Sequence, residues 1–254
     1  MEDEGVIYGR HPVLEALKGK SPFEKIYISF HEEKSEVLKQ IRKNAEQLGI
    51  PVILSPREKL NHLTGNKNHQ GVVGIASAHE YSSLEEILKK LSDKTILLAL
   101  DHLEDPQNLG ALLRTSDAVG VKGVILPKRR SAGLTGGAAK ASAGAIRYVP
   151  VVKTSNLHQA LLVLRKHGFF IIGADQSAEK NYREIPYPEK VVLTLGNEHK
   201  GLSFLIKNNC DILVKIPMVG HLDSLNVSAA GSLLLYETFF RQQTSKATNT
   251  NFQF

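Results

Sequence analysis

The chain has 254 residues, 42% of them hydrophobic and 23% charged, with a formal net charge of +6. This composition can bury a real core and suits one large or two modest domains. One cysteine, Cys210, leaves no partner for an intrachain disulfide or a Cys-rich zinc site. No run approaches the ~18 apolar residues of a membrane span, and the acidic start Met1-Glu2-Asp3-Glu4 is unlike a secretory leader, so a cytoplasmic setting is expected.

Short strands and helices alternate at the start of the chain. Lys25-Ile26-Tyr27-Ile28-Ser29 reads as a strand, and the spacing of Val37, Leu38, Ile41, Ala45 and Leu48 predicts a helix over 33–48, closed by Gly49. Pro51-Val52-Ile53-Leu54 is the next strand, Arg57–Leu63 a short helix, and Gln70 to Ala76 a strand punctuated by glycine. These elements make residues 1–77 a small α/β domain. Residues 78–94 read as a linker carrying one helix, marked by Leu84, Ile87, Leu88 and Leu91.

The second domain, 95–241, opens on Thr95-Ile96-Leu97-Leu98-Ala99-Leu100, the continuous apolar run expected of a strand buried on both faces of a parallel sheet. Further strands are expected at Val124–Leu126, Tyr148–Val152, Phe169–Gly173, Val191–Leu195 and Ile212–Ile216. Helices between them imply a doubly wound α/β sheet that binds ligands at the carboxyl ends of its strands. Val227 to Arg241 forms a last helix, apolar almost all round, which must be buried in the core or against a second subunit. The polar, aperiodic residues 242–254 read as a disordered tail.

Three loops carry residues that packing alone would not request. In the first, Asp101 to Thr115, Asp105-Pro106 is a turn, Asn108 is a candidate helix N-cap, and Arg114 lies one turn beyond Gly110. A guanidinium brought to a helix N-terminus suits an anion, although Arg114 could also be a surface partner of Asp117. The second loop, Leu195 to Ser203, holds Glu198 between Gly196 and Gly201; the alternative is a plain turn with Ser203 as a cap. The third, Ile216 to Ser228, offers Ser224 or Asn226 as the cap of the last helix. Dinucleotide and P-loop glycine motifs are absent, and Ser131 to Gly137 matches neither. The ten histidines show no metal-ligand spacing, so no metal is expected.

The charge is unevenly placed. Residues 1–95 carry 14 Lys or Arg and 14 Asp or Glu, so the whole excess lies beyond them. Between Asp117 and Asp175 there is no acidic residue, and nine basic ones: Lys122, Lys128, Arg129, Arg130, Lys140, Arg147, Lys153, Arg165 and Lys166. Such a stretch attracts a phosphate backbone, or is simply a solvated basic face.

Together, Asp105-Pro106-Gln107-Asn108-Leu109-Gly110-Ala111 with Arg114-Thr115, Leu195-Gly196-Asn197-Glu198 with Gly201-Leu202-Ser203, and Ile216-Pro217-Met218 with Ser224 to Ser228 resemble the three motifs of the SpoU/TrmH family. These are ribose 2′-O-methyltransferases of the SPOUT superfamily. Ile7 to Val13 and His69-Gln70-Gly71-Val72 resemble the family's small RNA-substrate-binding domain, similar to ribosomal protein folds. The arrangement is most similar to the branch that methylates a guanosine ribose in large-subunit ribosomal RNA.

The resemblance implies a deep trefoil knot, dimerisation through the knotted domain, and S-adenosylmethionine held around Leu195, Gly196, Ile216, Met218 and Leu225. It implies a catalytic group of Asn108, Arg114, Glu198, Ser224 and Asn226. Family proposals give the matching arginine the role of base, which sits badly with a guanidinium that stays protonated; a clamp on the RNA phosphate suits Arg114 better. Lys128, Arg129, Arg130 and Lys140 are expected to contact RNA phosphates near the site, with Arg10, His69 and Gln70 as candidates in the first domain. Transfer RNA as substrate, or an RNA-binding assembly factor without catalysis, are the alternatives. A nucleotide hydrolase would lack its phosphate loop.

Overall fold

The computed structural model describes residues 5–19, 23–30, 35–77, 79–198 and 200–244. They form two compact units. The first takes in residues up to Glu80 together with Gly133–Ala139. Its elements are β1 (Val6–Tyr8), α1 (Arg10–Lys18), β2 (Phe23–Ser29), α2 (Glu36–Gln47), β3 (Val52–Ser55), α3 (Arg57–Leu63) and β4 (Val72–Ala76). The sheet order is β1-β4-β2-β3, with β4 antiparallel to both β1 and β2, and β2 parallel to β3. Val13 and Leu17 of α1 and Leu38, Ile41 and Ala45 of α2 are buried with Ile26 and Ile28 of the sheet. β1 and α1 were not expected: a three-residue strand and a nine-residue helix with Pro12 in its first turn give almost no periodic signal.

The second unit begins at Tyr81. The elements from there on in the chain are α4 (Leu84–Lys89), β5 (Thr95–Leu100), α5 (Pro106–Ala118), β6 (Gly123–Pro127), α6 (Gly136–Ala141), β7 (Val151–Thr154), α7 (Leu157–Lys166), β8 (Phe170–Ala174), β9 (Lys180–Asn181), β10 (Lys190–Leu195), α8 (Phe204–Lys207), β11 (Ile212–Lys215) and α9 (Val227–Thr244). Most of α6 falls with the first unit. Every pairing in the sheet is parallel, in the order β7-β6-β5-β10-β8-β11-β9. The expected doubly wound sheet is present, with β5 and β6 buried throughout and β10 buried past Lys190 because both faces are covered.

Two expected boundaries move. The linker is built into the second unit from Tyr81: Ser82 bridges to Val152, and Ser83 and Glu86 close a reciprocal cap at the start of α4. Ile87 is buried with Leu97, Ala99 and Leu161, because an amphipathic helix is stable only where its apolar face finds a core. The expected tail from Gln242 begins inside α9, which runs to Thr244; residues 245–254 lie outside the described residues. Gln242 is buried, and its Nε2 donates to the carbonyls of Pro188 and Glu189, both at 2.9 Å. A polar side chain reads as solvated in sequence, yet is buried where its donors are satisfied. Among the described residues no helix is long and apolar enough to cross a membrane.

The Gln242 contacts carry a measurable share of stability. Gln242→Ala should lower the unfolding free energy by about 1–3 kcal/mol, because two carbonyls lose their donor in a dry setting. Urea denaturation of the full chain checks it.

Candidate active site

The sheet order decides which loops can meet. The chain leaves β5 for β6 and β7 on one side, then crosses to β8 and returns β10 to the gap between β5 and β8. The carboxyl ends of β5 and β10 therefore lie side by side at a topological switch point, where open α/β sheets bind ligands. All three singled-out loops leave this edge: 101–105 after β5, 196–203 after β10 and 216–226 after β11.

Asp105, not Asn108, caps α5: its Oδ1 accepts the Gln107 N–H at 2.9 Å, with Pro106 in the first helical position. The expected cap is thus corrected. A proline sets the first turn, so Asn108 falls inside it and its side chain is released for other work. Asn108 is buried; its Nδ2 donates to Glu198 Oε1 at 2.9 Å, and its Oδ1 accepts Asn226 Nδ2 at 3.0 Å. The carboxylate orients the chain, since only the amide NH2 can face it. Asn226 in turn caps α9, its Oδ1 accepting the Ser228 N–H at 2.8 Å and the Ser228 hydroxyl at 2.6 Å. A second link between α5 and α9 joins the Thr115 and Ser232 hydroxyls at 2.8 Å.

The second loop closes on itself and on the first. Asn197 and Gly201 exchange backbone hydrogen bonds, and Gly196 is pressed so close that a β-carbon there would lie 2.1 Å from the Gly201 carbonyl carbon. Asp101, almost completely buried, donates its N–H to Leu195 O at 2.8 Å and accepts the Ser203 N–H on Oδ2 at 2.7 Å. Its other oxygen holds His102 Nδ1 at 2.6 Å, while Asn197 Nδ2 donates to the His102 carbonyl at 2.9 Å. Sequence reasoning passed over Asp101, His102 and Asn197. The one signal was a polar Asp-His pair placed directly after a fully apolar strand.

The structure thus joins Asn108, Glu198 and Asn226 into one hydrogen-bonded chain. It does not join Arg114 or Ser224, which are exposed and have no side-chain partner among the described residues; Asp117 does not engage Arg114. Leu195 is buried at the end of β10 and Gly196 and Ile216 are half-buried, as is Met218. Val219, Leu222 and Leu225 stand exposed on the third loop. Ser203 starts α8 without a side-chain cap.

The basic interval does not form one surface. Lys128, Arg129 and Arg130 follow β6 at the carboxyl edge, exposed and unpaired among the described residues, whereas Lys122 precedes β6 at the opposite edge. Arg165 is taken up by Asp211 at 3.0 Å and by Asn209. Lys153 lies over the Tyr81 ring. Lys140 is exposed in the last turn of α6. In the first unit Arg10 donates its N–H and Nε–H to Gln70, both at 3.1 Å. His69 is corrected: it is buried, accepts the Gly71 N–H on Nδ1 and meets Asn61 Oδ1 through Nε2, so both ring nitrogens serve the fold. Cys210 donates to the Ile206 carbonyl, and burial pushes its thiol up to about 12, which leaves it unreactive. A cavity of about 480 Å³ lies at the amino edge, lined by Ser82, Lys90, Lys122 and Tyr148, away from this network.

Residues 95–236 match the SpoU rRNA Methylase family, and residues 6–82 match RNA 2′-O ribose methyltransferase substrate binding. A Staphylococcus aureus (strain MSSA476) protein assigned to the TrmH family of tRNA/rRNA methyltransferases is 43% identical over 242 residues, 94% of this chain and 96% of that one. YacO of Bacillus subtilis (strain 168), assigned to the same family, is 39% identical over 236 residues, covering 92% and 94%. Among solved structures, the AdoMet-bound rRNA methyltransferase of Sinorhizobium meliloti aligns with a TM-score of 0.59 at 26% identity, over 92% of this chain and 86% of that one.

Two substitutions separate the two duties of Asn226. Asn226→Ala removes the cap and should destabilise by about 1 kcal/mol. Asn226→Asp keeps the cap, and so most of the melting temperature, but sets an oxygen against Asn108 Oδ1. Paired thermal melts check the difference.

Proposed function

The chain belongs to the SpoU rRNA methylase family, and from that membership we propose that it methylates the 2′-oxygen of a guanosine ribose in large-subunit ribosomal RNA. The coarser activity comes with the family: S-adenosylmethionine-dependent 2′-O-methylation of RNA, with an N-terminal substrate-binding domain. The ribosomal reading is supported by the two-domain layout and by the AdoMet-bound rRNA methyltransferase that shares most of its length. Transfer RNA is the competing substrate, since the staphylococcal relative carries both RNAs in its name.

One observation carries the assignment of the site: the Glu198–Asn108–Asn226 chain ties all three motif loops together at the switch point. The surroundings suit the methyl donor. Exposed Val219, Leu222 and Leu225 offer apolar surface for a ligand that is part purine and part sulfonium. Leu195, Gly196, Ile216, Met218 and Leu225 would hold it. When bound it supplies a methyl group on a positively charged sulfur, so the leaving group needs no further activation.

The chain's own residues then have to orient a ribose hydroxyl and stabilise charge on its oxygen. Arg114, exposed and unpaired among the described residues, clamps the adjoining RNA phosphate and steadies the developing alkoxide. Asn226, Ser224 and Glu198 position the hydroxyl and Arg114. Lys128, Arg129, Arg130 and Lys140 hold the RNA backbone beyond the site, and Arg10 with Gln70 contributes from the first domain. The family's trefoil knot and dimer belong to the same proposal. The apolar stripe of Leu233, Tyr236 and Phe240, which α9 leaves exposed, supports the dimer.

Mapping 2′-O-methylated positions in total RNA with and without the gene tests the substrate: loss of one guanosine in large-subunit RNA is expected, and loss confined to transfer RNA refutes it. Arg114→Lys should lower turnover about 10²–10³-fold, because a point charge cannot replace a planar fork. Near-normal turnover would remove that role. Alanine at Lys128, Arg129 and Arg130 together should weaken RNA binding and reduce its salt slope by about 2, with affinity for S-adenosylmethionine unchanged.

A further inference from the structure

The transfer requires that the ribose 2′-hydroxyl lose its proton, and the motif residues include few groups able to take it. A guanidinium does not deprotonate, and asparagine amides and a serine hydroxyl are poor bases. Glu198 already spends Oε1 on Asn108. The carboxyl edge offers another acceptor that none of the three motifs absorbed.

His102 is the second residue past β5. Its Nδ1 lies 2.6 Å from Oδ1 of Asp101, whose side chain is 1% exposed, whereas that of His102 is 41% exposed. Oδ2 of Asp101 is held by the Ser203 N–H, so the carboxylate cannot swing away from the ring. A carboxylate is an acceptor, so the ring nitrogen facing it carries the hydrogen, and in the neutral imidazole that tautomer leaves the lone pair on Nε2. The His102 carbonyl accepts Asn197 Nδ2 of the second motif loop. The first loop thus holds the ring through Nδ1, and the second holds the His102 backbone through its carbonyl. His102 also adopts φ +60°, a conformation that glycine takes freely and a side chain holds at a cost of about 1–2 kcal/mol.

We propose that His102 is the proton acceptor for the ribose 2′-hydroxyl, with Asp101 as its positioning residue. The proposal rests on the methyltransferase reading above. In the step, Nε2 takes the hydroxyl proton as the ribose oxygen forms a bond to the methyl carbon. The carbon–sulfur bond breaks with its electron pair going to sulfur, which becomes a neutral thioether. The positive charge ends on the imidazolium, which then passes its proton to water. Nδ1–H stays on Asp101 throughout.

The backbone provides a clean test, because glycine at 102 relieves the φ rather than straining it. In the full chain, His102→Gly and His102→Asn should lower the single-turnover rate about 10²–10⁴-fold, with circular dichroism showing both folded at the assay temperature, although Asp101 Oδ1 loses its His102 donor. Affinity for S-adenosylmethionine by calorimetry should stay within about threefold. Added imidazole should restore part of the His102→Gly rate and leave His102→Asn behind. Imidazole ¹⁵N spectra of the unliganded protein should show the Nδ1–H tautomer, and Asp101→Asn should shift it toward Nε2–H. A His102→Gly enzyme within threefold of the unaltered one overturns the assignment. If the unaltered protein methylates no ribose, the methyltransferase reading falls and takes the assignment with it; an active enzyme indifferent to His102 overturns only the assignment.

Discussion

Six residues of β10 pair in parallel with six of β5, from Lys190 beside Thr95 to Leu195 beside Leu100, and the chemistry of the second unit depends on that register. Both strands end level, so Asp101 and Gly196 leave the sheet together. The Asp101 N–H extends the ladder to Leu195 O, and only then can its carboxylate reach Ser203. A slip of one residue would separate these groups. The loop geometry follows from that register.

Beyond that edge the polar groups divide by exposure. Asn108 is buried and fully committed, donating to Glu198 and accepting from Asn226. Burying Asn108 with both partners met suits it to positioning, while Asn226 at the end of the chain is exposed. Arg114, Lys128, Arg129 and Arg130 are exposed, suited to meeting a phosphate that brings its own charge. The acid-free interval reads as one patch only along the sequence. Five residues of β6 separate Lys122 from the Lys128 turn, and a strand of that length spans about 16 Å.

The last helix shows how one segment serves two surfaces. Val227, Gly231, Leu234, Leu235 and Thr238 are buried. Gly231 lets α9 close on α5, since a β-carbon there would lie 2.5 Å from Leu112 Cδ2 and 2.6 Å from Leu195 Cδ1. The opposite stripe carries Leu233, Tyr236 and Phe240, the two rings 6.0 Å apart. An all-round apolar helix was the expectation, and half of it is met within the chain.

Local chemistry made much of this protein legible before any coordinates. β5 was readable to its ends because a strand buried on both faces must be apolar throughout, and α3 because its boundaries carry their own turn signals. The three loops stood out because glycine, proline, asparagine and a buried-side carboxylate have few structural reasons to gather after a strand. Other features had no local signal. Asp101 and Ser203 are 102 positions apart, and Asn108 and Asn226 are 118 apart. Their pairing exists only because β10 returns to the place beside β5. Composition and periodicity determined the elements and the residue types available for chemistry. Strand order decided which of them touch, because a hydrogen bond reaches about 3 Å and only the packed sheet brings such distant residues that close.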